Sequence, residues 1–163
     1  MNRALPQSRS DSVLLRQFVG EGKLMQFATV APHGQPRVSH CWYAADDQLN
    51  LIFASARSEV HSQELIFDER VAGSIAVSSL DALGQRVRRV TFQGTAEAVR
   101  TPDLQSAYSI YSARWPQVLD MAPLVSFKGK KPENRLYVIV PEKYVLCDEI
   151  TYLTEPRREP TEW

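Results

Sequence analysis

The chain has 163 residues, with 19 Lys and Arg against 19 Asp and Glu, so its formal net charge is zero. Balanced charge supplies no single-sign field for gripping a nucleic-acid backbone or an anionic membrane, and neither partner is expected. The length predicts a single domain over residues 1–163, with its core at about 24–153 and loose tails at 1–9 and 154–163.

Leu14, Leu15, Phe18 and Val19 are spaced for one face of a short helix over residues 10–20, read as a lid on a barrel end. The apolar run 24–31 reads as a strand. Pro32-His33-Gly34-Gln35 follows it as a hairpin turn, with Gly34 supplying a positive φ. Residues 36–45 then alternate, with Val38, His40 and Trp42 on one face and Arg37, Ser39, Cys41 and Tyr43 on the other. After a turn at Asp46-Asp47-Gln48, a third strand over 49–54 opens into Ser55-Ala56-Arg57-Ser58. Ser58 is placed to cap a helix running through Glu59, His61 and Leu65.

Two further strands, 70–79 and 86–100, read as antiparallel neighbours joined across 80–85, and Arg86, Arg88 and Arg89 form a polar strand face. Thr101-Pro102-Asp103 starts a helix carrying Leu104, Ala107, Tyr108, Tyr111 and Trp115, and Pro116 ends it or begins a second short one through Met121. Residues 122–133 read as a loop. Strands at 134–140 and 144–153 are expected around a turn at Pro141-Glu142-Lys143. The fold class predicted is mainly β (α+β), a split antiparallel barrel of about seven strands with three or four helices.

The chain has no GxGxxG, P-loop, HExxH or CxxC motif, and its three histidines, His33, His40 and His61, fall on a turn, a strand and a helix. No metal site is expected. Cys41 and Cys147 lie far apart in apolar or alternating runs, as buried free thiols of a reducing compartment would. With residues 1–10 polar and no apolar run long enough to cross a bilayer, a cytoplasmic protein is expected. The 55–61 segment stands out: two hydroxyls, a guanidinium and free N–H groups at a helix start make an anion cradle, and Trp42 and Tyr43 offer a flat apolar wall beside it.

Three segments carry a family resemblance: FATVAPHGQPRVSHCWYAADDQLNLIFASARSEVHSQELIFDERVAGSIAV, RRVTFQGTAEAV and LQSAYSIYSARWP. Together they make residues 24–153 resemble the FMN-binding split β-barrel family that includes pyridoxamine 5′-phosphate oxidase. The resemblance implies a homodimer with flavin at the subunit interface and an oxidoreductase acting on a small-molecule substrate. It implies flavin contacts, largely through backbone, at Ser39, His40, Cys41 and Trp42, phosphate contacts at Ser55, Arg57 and Ser58 with the cofactor-site residue His61 one turn into the following helix, and a polar pair at Arg88 and Arg89. It identifies no general acid or base, so the catalytic residues are unknown. The chain departs from the family at Glu59-Val60, where Arg-Lys is usual, and it lacks the oxidase's own C-terminal substrate pattern. FMN is therefore the first cofactor reading, with a deazaflavin in its place as a variant. The alternatives are a non-enzymatic or stress-associated module with weak or no flavin, and a haem-binding barrel with His40 or His61 as axial ligand.

Overall fold

The computed structural model describes residues 7–78 and 81–163. The elements run α1 (Gln7–Glu21), β1 (Leu24–Val30), β2 (Pro36–Ala45), β3 (Leu51–Ala56), α2 (Val60–Glu64), β4 (Arg70–Ala76) and β5 (Arg88–Ala98). They continue with α3 (Leu104–Arg114), α4 (Val118–Met121), a 3₁₀ turn (Leu124–Phe127), β6 (Asn134–Asp148) and β7 (Arg157–Arg158). All strand pairings are antiparallel. The sheet order β3-β2-β1-β4-β5-β6 closes on itself through β3–β6, giving a six-stranded barrel with β7 outside it.

Alternation decides what each strand contributes. Inward residues such as Met25, Phe27, Tyr43, Phe53, Ile75, Val90, Ile139 and Leu146 form one core inside the barrel. α1 covers one end of it, with Leu15, Phe18 and Val19 buried and the Tyr43 hydroxyl donating to Val19 O at 2.6 Å. At the other end α2 buries His61, Ser62 and Glu64. A second core lies on the outer face, where Ala44, Ile52 and Leu136 meet Leu104, Ala107, Tyr108 and Tyr111 of α3.

Several expectations change. The strands expected at 134–140 and 144–153 are one continuous strand, and no turn interrupts it at Pro141. The reason is a bulge in β6 itself, beside Pro141: Gly94 pairs with Pro141 and Gln93 with Lys143, which leaves Glu142 as the extra residue. A bulge is where a strand tolerates a residue that has no N–H to give. The 154–163 tail is not loose. Arg157 and Arg158 pair with Cys147 and Leu146, Ser12 Oγ donates to Glu162 O at 2.6 Å, and the Trp163 ring packs edge-on to Tyr144 at 5.3 Å. Residues 7–9 of the other expected tail belong to α1, and its first six residues lie outside the described ones, as do residues 79–80 beside the expected 80–85 connection. Asp103, not Thr101, takes the N-cap position of α3.

Gly94 permits a close backbone approach between β5 and β6, since a Cβ there would lie 2.2 Å from Val140 O. Gly94→Ala is expected to cost roughly 2 kcal/mol or more. Gly20→Ala, in α1 with nothing within 4 Å of its Cβ, is expected to add about 0.5–1 kcal/mol. Urea unfolding midpoints check both signs.

Candidate functional site

The barrel is split beside the segment that the sequence singles out. β2 pairs with β3 only from Tyr43↔Phe53 to Ala45↔Leu51, although β2 begins at Pro36 and β3 runs on to Ala56. Beyond Tyr43 the two strands part. β3 keeps its ladder on the other side, pairing with β6 from Leu51↔Ile139 to Ala56↔Asn134. Residues 36–42 of β2, paired with β1 along one edge, therefore turn an unpaired edge toward the end of β3. The Tyr111 hydroxyl of α3 reaches this split and donates to Trp42 O at 3.4 Å.

Trp42 projects from the outer face, 52% exposed, and meets Trp115 edge-on at 4.8 Å. Trp115 is anchored by its indole N–H, which donates to Tyr43 O at 2.8 Å. These rings, with Ala54, Tyr111, Val118 and Met121, line an apolar cavity of about 450 Å³. Such a volume suits a planar ligand of moderate size. His40 is exposed on the same face of β2, while Ser39 and Cys41 are half-buried on the inner side. Burial, supplemented by the Glu59 carboxylate, pushes the Cys41 thiol up to about 12.

The loop after β3 is pinned by its backbone. Arg57 N donates to Glu133 O at 3.0 Å, and the Gln63 side-chain amide donates to Arg57 O. Among the described residues no carboxylate forms an ion pair with the Arg57 guanidinium. Ser58 does not cap α2 as expected. The N-cap is Glu59, with no side-chain cap bond, because a turn from Ala56 O to Glu59 N at 3.2 Å takes up Ser58 before the helix begins. Ser58 is left exposed.

Ser55 and His61 do meet. Ser55 Oγ lies 2.8 Å from His61 Nε2 and accepts a bond from Ser62 Oγ at 3.2 Å. The imidazole is 7% exposed and packs against the Phe27 and Phe53 rings. Its burial lowers its pKa, opposed by Glu59 and Glu64. Arg88 and Arg89 do not join this group within one chain. Ser55 pairs with Arg135 near the start of β6, whereas Arg88 pairs with Asp148 at its end. There Arg88 lies over the Phe18 ring at 5.4 Å, with Glu21 at 3.7 Å.

The sequence reading missed two parts of the site. One is the groove: in sequence Tyr111 and Trp115 show only helical spacing, Met121 only the end of a short helix, and Val118 nothing, because such spacing says nothing about which neighbour a residue covers. The other is a buried clamp: Glu64, 4% exposed, accepts from Thr29 Oγ1 at 2.6 Å and from Arg37 Nε at 2.9 Å. Thr29↔Arg37 is a β1–β2 pair, so the clamp ties α2 to the strand that borders the split. A buried carboxylate at position 64 had no visible partner in sequence.

No ion cluster suggests a metal, since among the described residues no three His, Cys, Asp or Glu side chains group to hold one. No helix is long and apolar enough to cross a membrane.

Burial alone would raise the Glu64 carboxyl, but the Thr29 and Arg37 bonds and the Arg37 and His61 charges hold it below the ordinary value. A carboxyl lowered by folding stabilises the fold above its unfolded pKa, and that contribution is lost as pH falls through the folded one. Glu64→Gln is expected to cost about 1–3 kcal/mol near neutrality. The gap to wild type should shrink at acid pH below the ordinary carboxyl range, as read from urea midpoints along a pH series. Cys41 and the buried Cys147 are expected to react slowly with a thiol reagent in native protein, and fast labelling of Cys41 would place it open in the split.

A family model described as pyridoxamine 5′-phosphate oxidase matches residues 14–146. No curated protein matches the chain in sequence. Among solved structures, a heme binding protein from Mycobacterium smegmatis is similar at a TM-score of 0.70 and 16% identity, covering 96% of this chain and 59% of its own. Atu2129, of unknown function, from Agrobacterium tumefaciens, is similar at 0.67 and 21%, covering 90% and 60%. The chain thus spans about 60% of the length of each of these two. HutZ, the heme storage protein from Vibrio cholerae, is similar at 0.67 and 21%, covering 82% and 92%. At such identities the likeness speaks for the fold alone. The match over residues 14–146, borne on a closed antiparallel barrel split between β2 and β3, makes this chain a member of the pyridoxamine 5′-phosphate oxidase family.

Proposed function

We propose that the chain is an FMN-binding flavoprotein of the oxidoreductase type, with the flavin phosphate at the 55–58 loop and the ring system along the β2 side of the split. The observation that supports the reading is the position of the 55–58 loop, with Ser55, Ser58 and an Arg57 that has no carboxylate partner among the described residues, at the end of β3, where β2 presents a strand edge without its β-ladder partner. A planar heteroaromatic ring can hydrogen-bond to such an edge through its carbonyl and imide groups, and a phosphate takes the charge-assisted bond from arginine. The flavin would supply the redox chemistry for a small-molecule substrate. The protein's part is to hold the ring and screen it, with Trp42 at the border of the cleft.

A homodimer belongs to this reading. Val38, 62% exposed, and Trp42 leave an apolar surface beside the split, and a second copy seated there would cover it. Arg88 and Arg89, remote from the loop in their own chain, would approach the flavin from that second copy. Light scattering should report about twice 18.5 kDa; a monomer that binds flavin tightly overturns the interface.

The haem alternative is supported by two structural neighbours, a heme binding protein and a heme storage protein, and by one feature here: His40 is exposed between Val38 and Trp42 on an apolar outer face. His61 is the weaker axial ligand, because its Nε2 is engaged by Ser55. The visible spectrum of freshly purified protein separates flavin bands from a Soret band, and neither band would favour the module without cofactor.

If the phosphate sits against Arg57, then Arg57→Ala removes a charge-assisted bond of about 1.5–3 kcal/mol and weakens FMN about tenfold or more. Riboflavin, which has no phosphate, should respond little. Glu59→Arg should tighten FMN and leave riboflavin unchanged, since it exchanges a nearby negative charge for a positive one. Flavin fluorescence quenching at fixed ionic strength measures all of these. Equal wild-type affinities for FMN and riboflavin, both indifferent to Arg57→Ala, would remove the phosphate assignment.

A further inference from the structure

We propose that His61 is a positioning residue for anion binding at the 55–58 loop: the proton on its Nε2 decides whether the Ser55 hydroxyl gives its own proton to the imidazole or to a bound phosphate. This rests on the reading that the loop holds the flavin phosphate, and it adds a group that touches no ligand yet sets the donor that does.

The geometry forces a choice. A serine hydroxyl has one proton to give and two lone pairs to receive with. Ser55 Oγ already faces His61 Nε2 at 2.8 Å, receives the Ser62 hydroxyl at 3.2 Å and has one longer acceptor within its own strand, Ala56 O at 3.3 Å. When Nε2 is bare, Ser55 gives its proton to the ring, and an incoming anion meets only oxygen lone pairs. When Nε2 carries a proton, the Ser55 lone pairs accept from Nε2–H and from Ser62, and the Ser55 proton is released to the phosphate, whose charge makes it a stronger acceptor than Ala56 O at 3.3 Å. The ring is held in place for this exchange, with Phe27 at 5.5 Å and Phe53 at 6.2 Å between centroids.

The surrounding charges set the direction. On α2 and its N-cap the ring faces the Glu64 and Glu59 carboxylates, and these favour the imidazolium. From β2 come Arg37, already spent on Glu64, and the neutral Cys41 thiol. The loop adds Arg57. β1 and β3 offer Phe27, Thr29, Phe53 and Ser55, none of them charged. Burial acts the other way and lowers the pKa of the ring. A phosphate is a further negative charge next to Ser55, so its arrival favours protonation of His61, and protonation in turn supplies the phosphate with a donor.

The test is the affinity of FMN and of riboflavin, by fluorescence quenching, from about pH 8 to about pH 5.5 for wild type and His61→Gln. Glutamine keeps an amide N–H for Ser55 but does not titrate. The phosphate's own second ionisation, near pH 6, affects both proteins alike, so the ratio of their FMN affinities isolates His61. That ratio should rise about tenfold toward acid pH, with no comparable rise for riboflavin. The His61 titration midpoint, followed by NMR in wild type, should move up when FMN is added. A flat ratio and an unmoved midpoint, with FMN still preferred to riboflavin, overturn the role of His61 and leave the phosphate site standing. Equal binding of the two flavins, or binding of neither, overturns the phosphate site and this inference together. Should His61→Gln fail to fold, the wild-type midpoint decides alone: upward movement supports the role and an unmoved midpoint overturns it.

Discussion

The structure depends on β6 running unbroken past Pro141. That fifteen-residue strand pairs with β5 along most of its length, with β3 through its first half and with β7 near its end. Because β3 takes six pairs from β6 and only three from β2, it can leave β2 at Tyr43 without surrendering its place in the barrel. The split is thus a consequence of closure. Gly94 makes both possible, since a side chain at that bulge would collide with the Val140 carbonyl and push β6 away from β5.

Two plugs give the barrel ends different characters. α1 brings an apolar face against the barrel core, with Tyr43 donating to Val19 O, and keeps Arg16 at the rim, where it donates to Asp47 O. α2 is only five residues long and buries polar groups: an imidazole, a hydroxyl and a carboxylate. A helix so short has little stability of its own. Its position rests on the Glu64 clamp to Thr29 and Arg37 and on His61 lodged between two phenylalanines. The loop that would carry the phosphate is therefore held by the same helix that stoppers the barrel, so a disturbance of the stopper reaches the loop through the His61 and Ser62 bonds to Ser55 and the Gln63 bond to Arg57 O.

The electrostatics of the loop are mixed rather than uniformly basic. Arg57 is an arginine without a carboxylate partner among the described residues, yet Glu59 lies close enough to influence both Cys41 and His61. Where a second cation would strengthen anion binding, this chain has a carboxylate that favours a protonated histidine. The departure at Glu59 and the presence of His61 can be read as one arrangement, in which part of the positive charge at the site is conditional on pH.

Local pattern alone determined the first five strands to within a few residues, the existence of α1, α2 and α3, and the inward and outward faces of β2, because alternation and turn chemistry are short-range properties of the chain. It also brought out Ser55, Arg57 and His61 as neighbours on one loop. Pro141 misled, since a proline in a strand pattern signals a turn unless the strand bulges beside it, and that bulge is set by the register with a partner strand some fifty residues away in sequence. The final residues looked loose for the same kind of reason: nothing in a short, charged, proline-bearing tail announces that β6 has a free edge. Only the tertiary structure placed Arg88 away from Ser55, joined Thr29 and Arg37 to Glu64, and opened the barrel between β2 and β3. Each of these is a meeting of residues distant in the chain, and such meetings are decided by which strand edges and buried charges find partners after closure.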